Sequence, residues 1–295
     1  MAKIAIIGSQ GMLGSAVCRH LSAEKHQILE INSKEIKSNN LVMQFDIVSN
    51  NIEDLRNSLE NYDFVINCAG LIKHKINEKN TNSLSELVLV NSLFPIKLTN
   101  LSHELNFKVI QIATDCVYSG EKGDYVEDDI KDPVDYYGYS KALGEHSDSN
   151  LMTLRCSLIG RELKSKVEFL EWVLSQGIKS EIKGFTNYFW NGLTTLHFAK
   201  IVNGIIKRER FKDGTFHLVP RDSVTKFELA KNIANSFERS DIRITQGNSS
   251  KAVNRVLATN YPQVNSDLWL NAGYNKPLGI IEMVKEYALW VKLWP

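Results

Sequence analysis

The sequence predicts an α/β fold, with a doubly wound parallel sheet followed by a smaller, helix-rich lobe. Three observations lead to this prediction. Short, nearly continuous apolar runs alternate with helical patterns in the first half of the chain, and a glycine-rich turn joins the first run to the first helix. After about residue 156 the alternation of apolar runs and helical patterns becomes less regular. At 295 residues the chain has room for roughly two domains, or for one large domain with a lobe.

The apolar runs of the first half are predicted as strands, and the amphipathic stretches between them as helices. Six such strands are enough for a doubly wound sheet covered on both faces. The predicted strands are Lys3–Ile7, Ile28–Ile31, Leu41–Phe45, Phe64–Asn67, Lys108–Ile112 and Leu151–Arg155. The predicted helices are Leu13–Leu21, Ile52–Leu59, Ser83–Leu105 and Ser140–Asp148. In the second half we predict helices at Glu168–Gln176, Leu193–Ile206, Phe227–Phe237 and Ile280–Val291, and a strand at Thr215–Val219.

The composition excludes several classes of protein. The chain has 35 Lys and Arg residues and 34 Asp and Glu residues, which gives a net charge of +1. A charge this close to zero does not indicate binding to nucleic acid or to an anionic membrane. No stretch approaches ~18 consecutive apolar residues, and the N-terminal apolar run is too short for a signal peptide, so a cytoplasmic location is expected. The four cysteines lack Cys-x-x-Cys spacing and the seven histidines do not cluster, so no metal site is expected.

A glycine-rich turn stands where the first strand meets the first helix. Glycines let the backbone turn tightly and approach a pyrophosphate, while the helix N-terminus offers free N–H groups and the positive end of its dipole. The spacing G-x-x-G-x-x-G also occurs in turns that only join a strand to a helix, but its place directly after the first strand favours a dinucleotide site. We assign cofactor binding here to Gly8, Gln10, Gly11, Met12, Leu13 and Gly14.

The end of the second strand bears on the choice of cofactor. NAD sites usually carry a carboxylate about 20 residues past the glycine turn, where it holds the ribose 2′-OH. This chain has Asn32, Ser33 and Lys34 there, and neutral or basic donors suit a 2′-phosphate better. We therefore predict NADP(H) over NAD(H). Two alternatives stay open: Glu30 turns inward as the missing carboxylate, or these residues are only a surface loop.

Tyr137 and Lys141 form a Tyr-x-x-x-Lys pair, whose side chains share one face of a helix. A phenol has a pKa near ~10, and a nearby ammonium favours the phenolate and lowers that pKa. This would tune the tyrosine as a general acid or base. Thr114 follows the predicted strand Lys108–Ile112, at the carboxyl edge where ligand sites of open α/β sheets lie. Its hydroxyl is placed to hold a carbonyl oxygen beside the tyrosine.

The glycine turn, Thr114 and the Tyr137/Lys141 pair, in this order, resemble the short-chain dehydrogenase/reductase superfamily. Three further segments resemble its extended branch. Asp46-Ile47 is similar to the pair that closes on adenine, and Cys68-Ala69-Gly70 to the small-residue segment under the cofactor. Asn91 with Pro95 is similar to the Asn-x-x-x-Pro of the middle helix. The resemblance implies that these segments contribute to cofactor binding.

The run Thr114-Asp115-Cys116-Val117-Tyr118-Ser119-Gly120, with the following 123–129 segment, resembles the dTDP-4-dehydrorhamnose reductase family. That resemblance covers about residues 1–160 and is weaker in the rest of the chain. There the segment Asn191-Gly192-Leu193-Thr194-Thr195 is similar to the family's Gly-x-Pro-Thr segment but lacks its proline. We accordingly interpret residues 1–160 as a Rossmann-type NADP-binding domain. Residues 193–220 are expected to belong to the same domain. Residues 161–192 and 221–295 are interpreted as the lobe that binds the substrate.

The resemblance implies NADPH-dependent reduction of the 4-keto group of a nucleotide-linked 6-deoxyhexose, for deoxysugar and surface polysaccharide synthesis. It implies that Tyr137 protonates the C4 oxygen, that Lys141 lowers the pKa of Tyr137 and anchors the nicotinamide ribose, and that Thr114 hydrogen-bonds the same oxygen. The sequence does not decide whether the nucleotide is dTDP, UDP or GDP. It also does not decide whether the protein forms a homodimer. As substrate-binding residues we take Asp115, Cys116, Arg161, Trp190 and Thr195.

Three relatives of this reaction were weighed against it. Nucleotide-sugar 4,6-dehydratases carry Thr-Asp-Glu, and Cys116 in the third position disfavours them. Enzymes of the GDP-fucose synthase type carry Ser-x-Cys, and their Cys exchanges protons in an added epimerisation, together with a His that has no counterpart between Cys156 and Asn191. Four lysines were noted as substitutes for that His, with nothing to select among them: Lys164, Lys166, Lys179 and Lys183. A reductase of a UDP-linked acetamido sugar is the third.

A protein of another class also resembles this chain. The regulatory subunit of methionine adenosyltransferase has the reductase fold and binds NADP while partnering a catalytic chain. A binding module of that kind is expected to lose the tyrosine–lysine pair or the hydroxyl. Thr114, Tyr137 and Lys141 are all present here, which favours an enzyme.

Overall fold

A computed structural model of the chain describes residues 1–162 and 167–294. The first half contains six strands and five helices that alternate along the chain. The strands are β1 (Lys3–Ile7), β2 (Gln27–Asn32), β3 (Leu41–Gln44), β4 (Phe64–Asn67), β5 (Lys108–Ala113) and β6 (Leu151–Arg155). The helices are α1 (Met12–Ala23), α2 (Arg56–Leu59), α3 (Thr81–Val88), α4 (Phe94–Leu105) and α5 (Tyr136–Gly144). All six predicted strands are confirmed, with ends that differ by no more than one residue.

The second half carries short strands between its helices. The strands are β7 (Leu158–Ile159), β8 (Glu181–Phe185), β9 (Tyr188–Trp190), β10 (Leu193–Thr194), β11 (Gly214–His217), β12 (Val224–Thr225), β13 (Arg243–Gly247) and β14 (Val253–Asn254). The helices are α6 (Phe169–Leu174), α7 (Thr195–Lys207), α8 (Lys226–Ser236), α9 (Pro262–Asn271) and α10 (Ile280–Lys292). The sequence did not predict most of these strands, because a run of two to five residues carries too little periodicity. It did not predict α9 either, whose apolar residues are only weakly segregated to one face of the helix.

Seven parallel strands form the central sheet, in the order β11-β6-β5-β4-β1-β2-β3. One face packs against α1 and α7 in a core that includes Val17, Leu21, Phe198 and Val202, and the other packs against α4. Apolar residues on both faces explain why these strands have nearly continuous apolar sequences. The outer strand β11 joins the sheet beside β6 from a position far along the chain. We retain the division into a cofactor domain and a substrate lobe as a proposal.

Helix α5 begins and ends earlier than the predicted range Ser140–Asp148, which was wrong in its bounds. Asp135 caps the helix, because its Oδ1 accepts a hydrogen bond of 2.8 Å from the N–H of Gly138. At the other end, a Cβ on Gly144 would overlap the backbone oxygen of Asn91. The early start places both Tyr137 and Lys141 within α5.

The predicted helix Ser83–Leu105 is divided by a π-helical turn at Leu89–Leu93, between α3 and α4. Pro95 has no N–H, so the carbonyl of Asn91 four residues earlier loses its helical donor. Gly144 packs against that carbonyl instead. The Asn-x-x-x-Pro pattern therefore marks the place where the middle helix widens to receive α5.

A buried polar network joins the carboxyl end of the sheet to the later part of the chain. The Arg155 guanidinium binds Glu145 at 2.7 and 3.1 Å, and its Nη1 lies 2.6 Å from both the Tyr118 hydroxyl and Nε2 of His217. Nδ1 of His217 donates to the carbonyl of Ala258 at 2.7 Å, which leaves Nε2 as the acceptor from Arg155. The ring is therefore neutral. Burial, and the charge of Arg155 next to it, lower the pKa of His217 to about 4.

This network predicts a loss of stability in mild acid. His217 binds its proton near pH 6.5 in the unfolded chain but only near pH 4 in the folded one, so the free energy of unfolding falls by up to about 3 kcal/mol as the pH drops through that window. His217→Gln keeps an acceptor and a donor without titrating. Urea unfolding at pH 7 and pH 5 should show a smaller decrease for the variant than for the unchanged protein. Equal decreases in the two proteins would contradict this assignment.

Candidate active site

A cleft of about 560 Å³ opens at the carboxyl edge of the sheet, where β1, β4, β5 and β6 end. The glycine turn and the segment after β4 form one part of its wall. The segments after β5 and β6, with helix α5, form the other part. The residues that line it are Gln10–Leu13, Cys68–Gly70, Ile72–Lys75, Ile112–Cys116, Tyr137, Lys141, Cys156–Leu158, Glu162 and Glu168.

Two glycines of the turn are required by the packing. Gly8 has φ of +78°, and a Cβ there would lie 2.9 Å from the N–H nitrogen of Ala69. A Cβ on Gly14 would overlap the carbonyl oxygen of Gly8. Backbone can thus approach a ligand closely at the N-terminus of α1, which is the geometry that pyrophosphate binding needs. The described residues fit the dinucleotide that the turn predicts.

At the end of β2, Asn32 and Glu30 point inward. Oδ1 of Asn32 accepts a 2.9 Å hydrogen bond from the N–H of Gln10, so Asn32 fastens the glycine turn. Glu30 is buried and accepts from Ser9 at 3.0 Å, Ser38 at 2.5 Å and Asn40 at 2.9 Å. Ser33 and Lys34 are exposed. Glu30 therefore does turn inward, as one of the two alternatives expected. Its carboxylate oxygens, however, already accept hydrogen bonds from donors of the protein.

Three other predicted cofactor segments lie around the turn. Asp46 accepts from the N–H of Val48 at 2.9 Å, and Ile47 packs beside the core under α4. Cys68, Ala69 and Gly70 line the cleft as the resemblance implies. Asn91 does not line it: its side-chain amide binds the N–H and the carbonyl of Leu71, each at 2.9 Å. It therefore holds the segment after β4 in place.

Thr114 and Tyr137 meet at the centre of the cleft. Thr114 ends β5, where its Oγ1 accepts the N–H of Cys116 at 3.1 Å and donates to Oδ1 of Asp115 at 3.2 Å. A Cβ on Gly138 would overlap the carbonyl oxygen of Cys116, so the start of α5 rests directly on this turn. The contact brings Tyr137 close to Thr114, which acts to lower the pKa of the tyrosine.

The expected lowering of the Tyr137 pKa by Lys141 is not found. Burial raises the pKa of Tyr137, and the neighbouring Cys116 and Asp115 raise it further. Nζ of Lys141 lies 3.4 Å from the carbonyl oxygen of Ile112, and burial lowers its own pKa to about 8. Because burial is the largest influence on this pKa, the phenol stays protonated at neutral pH, as a proton donor must be.

The predicted substrate residues divide into two groups. Asp115 and Cys116 line the cleft. Arg161 forms an ion pair with Glu171, Nε1 of Trp190 donates to Oγ of Ser157 at 2.8 Å, and Oγ1 of Thr195 donates to the hydroxyl of Tyr287 at 3.3 Å. None of these three lines the cleft. Lys164 and Lys166, noted as substitutes for a catalytic His, lie outside the described residues.

Sequence reasoning missed two cations beside Cys116. Nη1 of Arg255 lies 3.9 Å from Sγ of Cys116, and its Nε donates to the carbonyl of Tyr118 at 2.7 Å. Lys226, at the start of α8, acts electrostatically on Asp115. Both follow the recognised motifs by about a hundred residues, so no local pattern connected them. A signal was available for Lys226, because a lysine at the first position of a helix is unusual.

In the part of the chain that the structure describes, no helix has the length and hydropathy that a membrane crossing requires. The same residues contain no grouping of three or more His, Cys, Asp or Glu side chains able to hold a metal ion.

Comparison with known proteins identifies the family and the relatives that this chain resembles. The profile of a family described as RmlD substrate binding domain matches residues 2–277. The probable low-salt glycan biosynthesis reductase Agl14 of Haloferax volcanii is 27% identical over 77% of this chain and 78% of its own length. Methionine adenosyltransferase 2 subunit beta of Bos taurus is 24% identical over 80% of this chain and 72% of its own length.

Solved structures show the same fold. The dTDP-4-dehydrorhamnose reductase of Bacillus anthracis, in complex with NADP, superimposes with a TM-score of 0.75 at 18% identity. The superposition covers 98% of this chain and 99% of that one. The prediction of a doubly wound sheet with an added lobe is confirmed.

Proposed function

We propose that this chain, which belongs to the RmlD substrate binding domain family, reduces the 4-keto group of a nucleotide-linked 6-deoxyhexose with NADPH. The chain is an NAD(P)-dependent oxidoreductase. One observation carries the proposal: Thr114, Tyr137 and Lys141 lie in a single cleft between the glycine turn and the segment that contains Cys116. The names of the Bacillus anthracis reductase and of Agl14 support this reaction class.

Each of the three side chains has a role in the proposed reaction. NADPH bound at the glycine turn supplies the hydride. Tyr137, kept protonated by its surroundings, gives its proton to the C4 oxygen as negative charge develops there. The hydroxyl of Thr114 rotates from Asp115 to the same oxygen and stabilises that charge. Lys141 anchors the nicotinamide ribose from the next turn of α5, so that ketone and cofactor are held together.

The preference for NADPH rests on the end of β2. Three donors of the protein already bind the Glu30 carboxylate, so it is not available to a ribose 2′-OH. The exposed Ser33 and Lys34 are the groups nearest in sequence that can donate to a 2′-phosphate. We therefore propose that NADPH binds more tightly than NADH.

Oxidation of the reduced cofactor, followed at 340 nm, tests this function. NADPH and NADH would each be offered with 4-keto-6-deoxy sugars linked to dTDP, UDP and GDP, including an acetamido sugar. We expect consumption of NADPH with one member, which identifies the nucleotide. Running the positive reaction in deuterium oxide shows whether label enters C3 or C5, as epimerisation through Cys116 requires. No consumption with any member would contradict the proposed reduction.

A second candidate function is supported by the likeness to methionine adenosyltransferase 2 subunit beta, which extends over 80% of this chain. In this candidate the chain binds NADP and regulates a partner without turnover. Tight NADPH binding together with no oxidation in any reaction of the panel would favour it. The presence of Thr114, Tyr137 and Lys141 in the cleft is our reason for placing it second.

A further inference from the structure

Lys226 occupies an unfavourable place for a cation. It is the first residue of α8, after a capping box in which Thr225 accepts the N–H of Glu228 at 3.2 Å and Glu228 accepts the N–H of Thr225 at 2.7 Å. The positive end of the helix dipole disfavours an ammonium at this position. A residue that breaks a local rule of this kind often serves function.

The Lys226 ammonium is surrounded by aromatic rings from two other elements, α6 and β9. It lies 4.2 Å from the ring centre of Phe169, 5.5 Å from that of Trp190 and 5.9 Å from that of Tyr188. Trp190 is itself fixed by its hydrogen bond to Ser157, which lines the cleft. Among the described residues the ammonium has no hydrogen-bond or ion-pair partner, so its N–H donors are left for a ligand.

The ionisable groups around Lys226 lie at one end of the cleft. Those that act on it are Asp115, Cys116 and Glu168, and all three line the cleft. Cys116 follows Thr114 by two residues, whereas the glycine turn belongs to the cofactor part of the wall. The hydroxyl of Tyr188, one of the rings around Lys226, lies 3.5 Å from Nη1 of Arg255, which itself lies 3.9 Å from Sγ of Cys116. Lys226 therefore lies beside the lining of the cleft at its Cys116 end, where the sugar of the proposed substrate extends.

The charges at this end are balanced. Arg255 and Lys226 both act on Asp115, and Lys226 also acts on Glu168. Glu162, a third carboxylate that lines the cleft, acts on Glu168 as well. Lys73 is paired with Asp135, while His74 and Lys75 are exposed and act on Glu168. This end thus carries no large positive excess to attract a carboxylate, and an uncharged acceptor fits it better.

We propose that Lys226 is a specificity-determining residue, whose ammonium donates a hydrogen bond to an uncharged oxygen of the substrate's sugar, a hydroxyl or an acyl carbonyl. The aromatic rings orient the ammonium, and the sugar oxygen is the acceptor that the described residues do not provide. This inference rests on the proposed function in one respect only: that the ligand of the cleft is a nucleotide sugar.

The test compares Lys226→Met with Lys231→Met. Lys231 lies on the same helix, is exposed and also contacts an aromatic ring, that of Phe227 at 5.4 Å, so it is a matched control. Calorimetry would measure binding of dTDP-glucose, UDP-glucose and GDP-mannose, and of the matching nucleoside diphosphates, to the NADP-loaded protein. We expect Lys226→Met to weaken nucleotide-sugar binding by about 10- to 100-fold and to leave nucleoside diphosphate and NADPH binding unchanged.

A second measurement uses the unchanged protein. Acetic anhydride would acetylate Lys226, and the nucleotide sugar should slow this reaction by several-fold, while the nucleoside diphosphate alone should not. Equal losses of sugar and diphosphate binding in Lys226→Met, or no loss of either, would overturn the proposal. So would acetylation that the nucleotide sugar does not slow. Because both measurements follow binding, they remain decisive even if the panel shows no turnover and the proposed reduction fails.

Discussion

Tyr137→Phe should lower kcat by about 10²- to 10⁴-fold while the affinity for NADPH stays unchanged. The substitution removes one oxygen atom, and with it the proton that the C4 oxygen must receive. The aromatic ring continues to fill its place beside Thr114, so the cleft keeps its shape. Burial raises the pKa of the phenol, so the unchanged protein carries this proton at neutral pH and the variant does not.

Tyr139→Phe is the matched control for this experiment. Tyr139 lies two residues away on α5 and its side chain is 59% exposed, so its hydroxyl contributes nothing to the cleft. Turnover would be measured by oxidation of NADPH, and cofactor affinity by quenching of protein fluorescence. If Tyr137→Phe kept more than a tenth of the original kcat, another group would have to supply the proton and the proposed role of Tyr137 would be wrong.

Arg155→Met should lower the free energy of unfolding by about 3–5 kcal/mol, because it leaves the buried carboxylate of Glu145 without its main partner. The side chains of Arg155 and Glu145 are only 3% and 5% exposed. Lys131 lies 3.1 Å from the same carboxylate and compensates in part. The hydroxyl of Tyr118 and Nε2 of His217 also lose a donor, which adds to the cost.

Urea denaturation at pH 7 would measure this loss against Lys251→Met. Lys251 and Glu121 form an ion pair 2.9 Å long with exposed side chains, and such pairs contribute about 1 kcal/mol or less. A loss in Arg155→Met no greater than that of the control would show that the buried pair does not stabilise the junction between the sheet and the rest of the chain.

The sequence was sufficient wherever a local pattern carried the information. The six strands of the first half were predicted to within one residue, because a buried parallel strand is apolar along its whole length. The glycine turn, Thr114 and the Tyr137/Lys141 pair were found from spacing, and the fold brings them to one cleft. How these residues act on a substrate remains a prediction.

The features that local patterns could not show depend on contacts with other segments of the chain. Trp190 was predicted to bind the substrate, and in the structure its indole lies against Lys226 and donates to Ser157. Arg161 was expected at the substrate and is paired with Glu171. The pKa of Tyr137 was misjudged because spacing indicates the nearest charge but says nothing about desolvation.

The return of the chain to the sheet at β11 bears on how the protein is made. Strand β6 is bordered on one side by β5 and on the other by β11, whose residues are synthesised about sixty positions later. A nascent chain that has emerged only through β6 therefore presents an unpaired strand edge, with the apolar face of α1 not yet covered by α7. A fragment cut after the recognised motifs would have the same defect permanently. The cofactor-binding half becomes a complete folding unit only after residues well beyond it have left the ribosome.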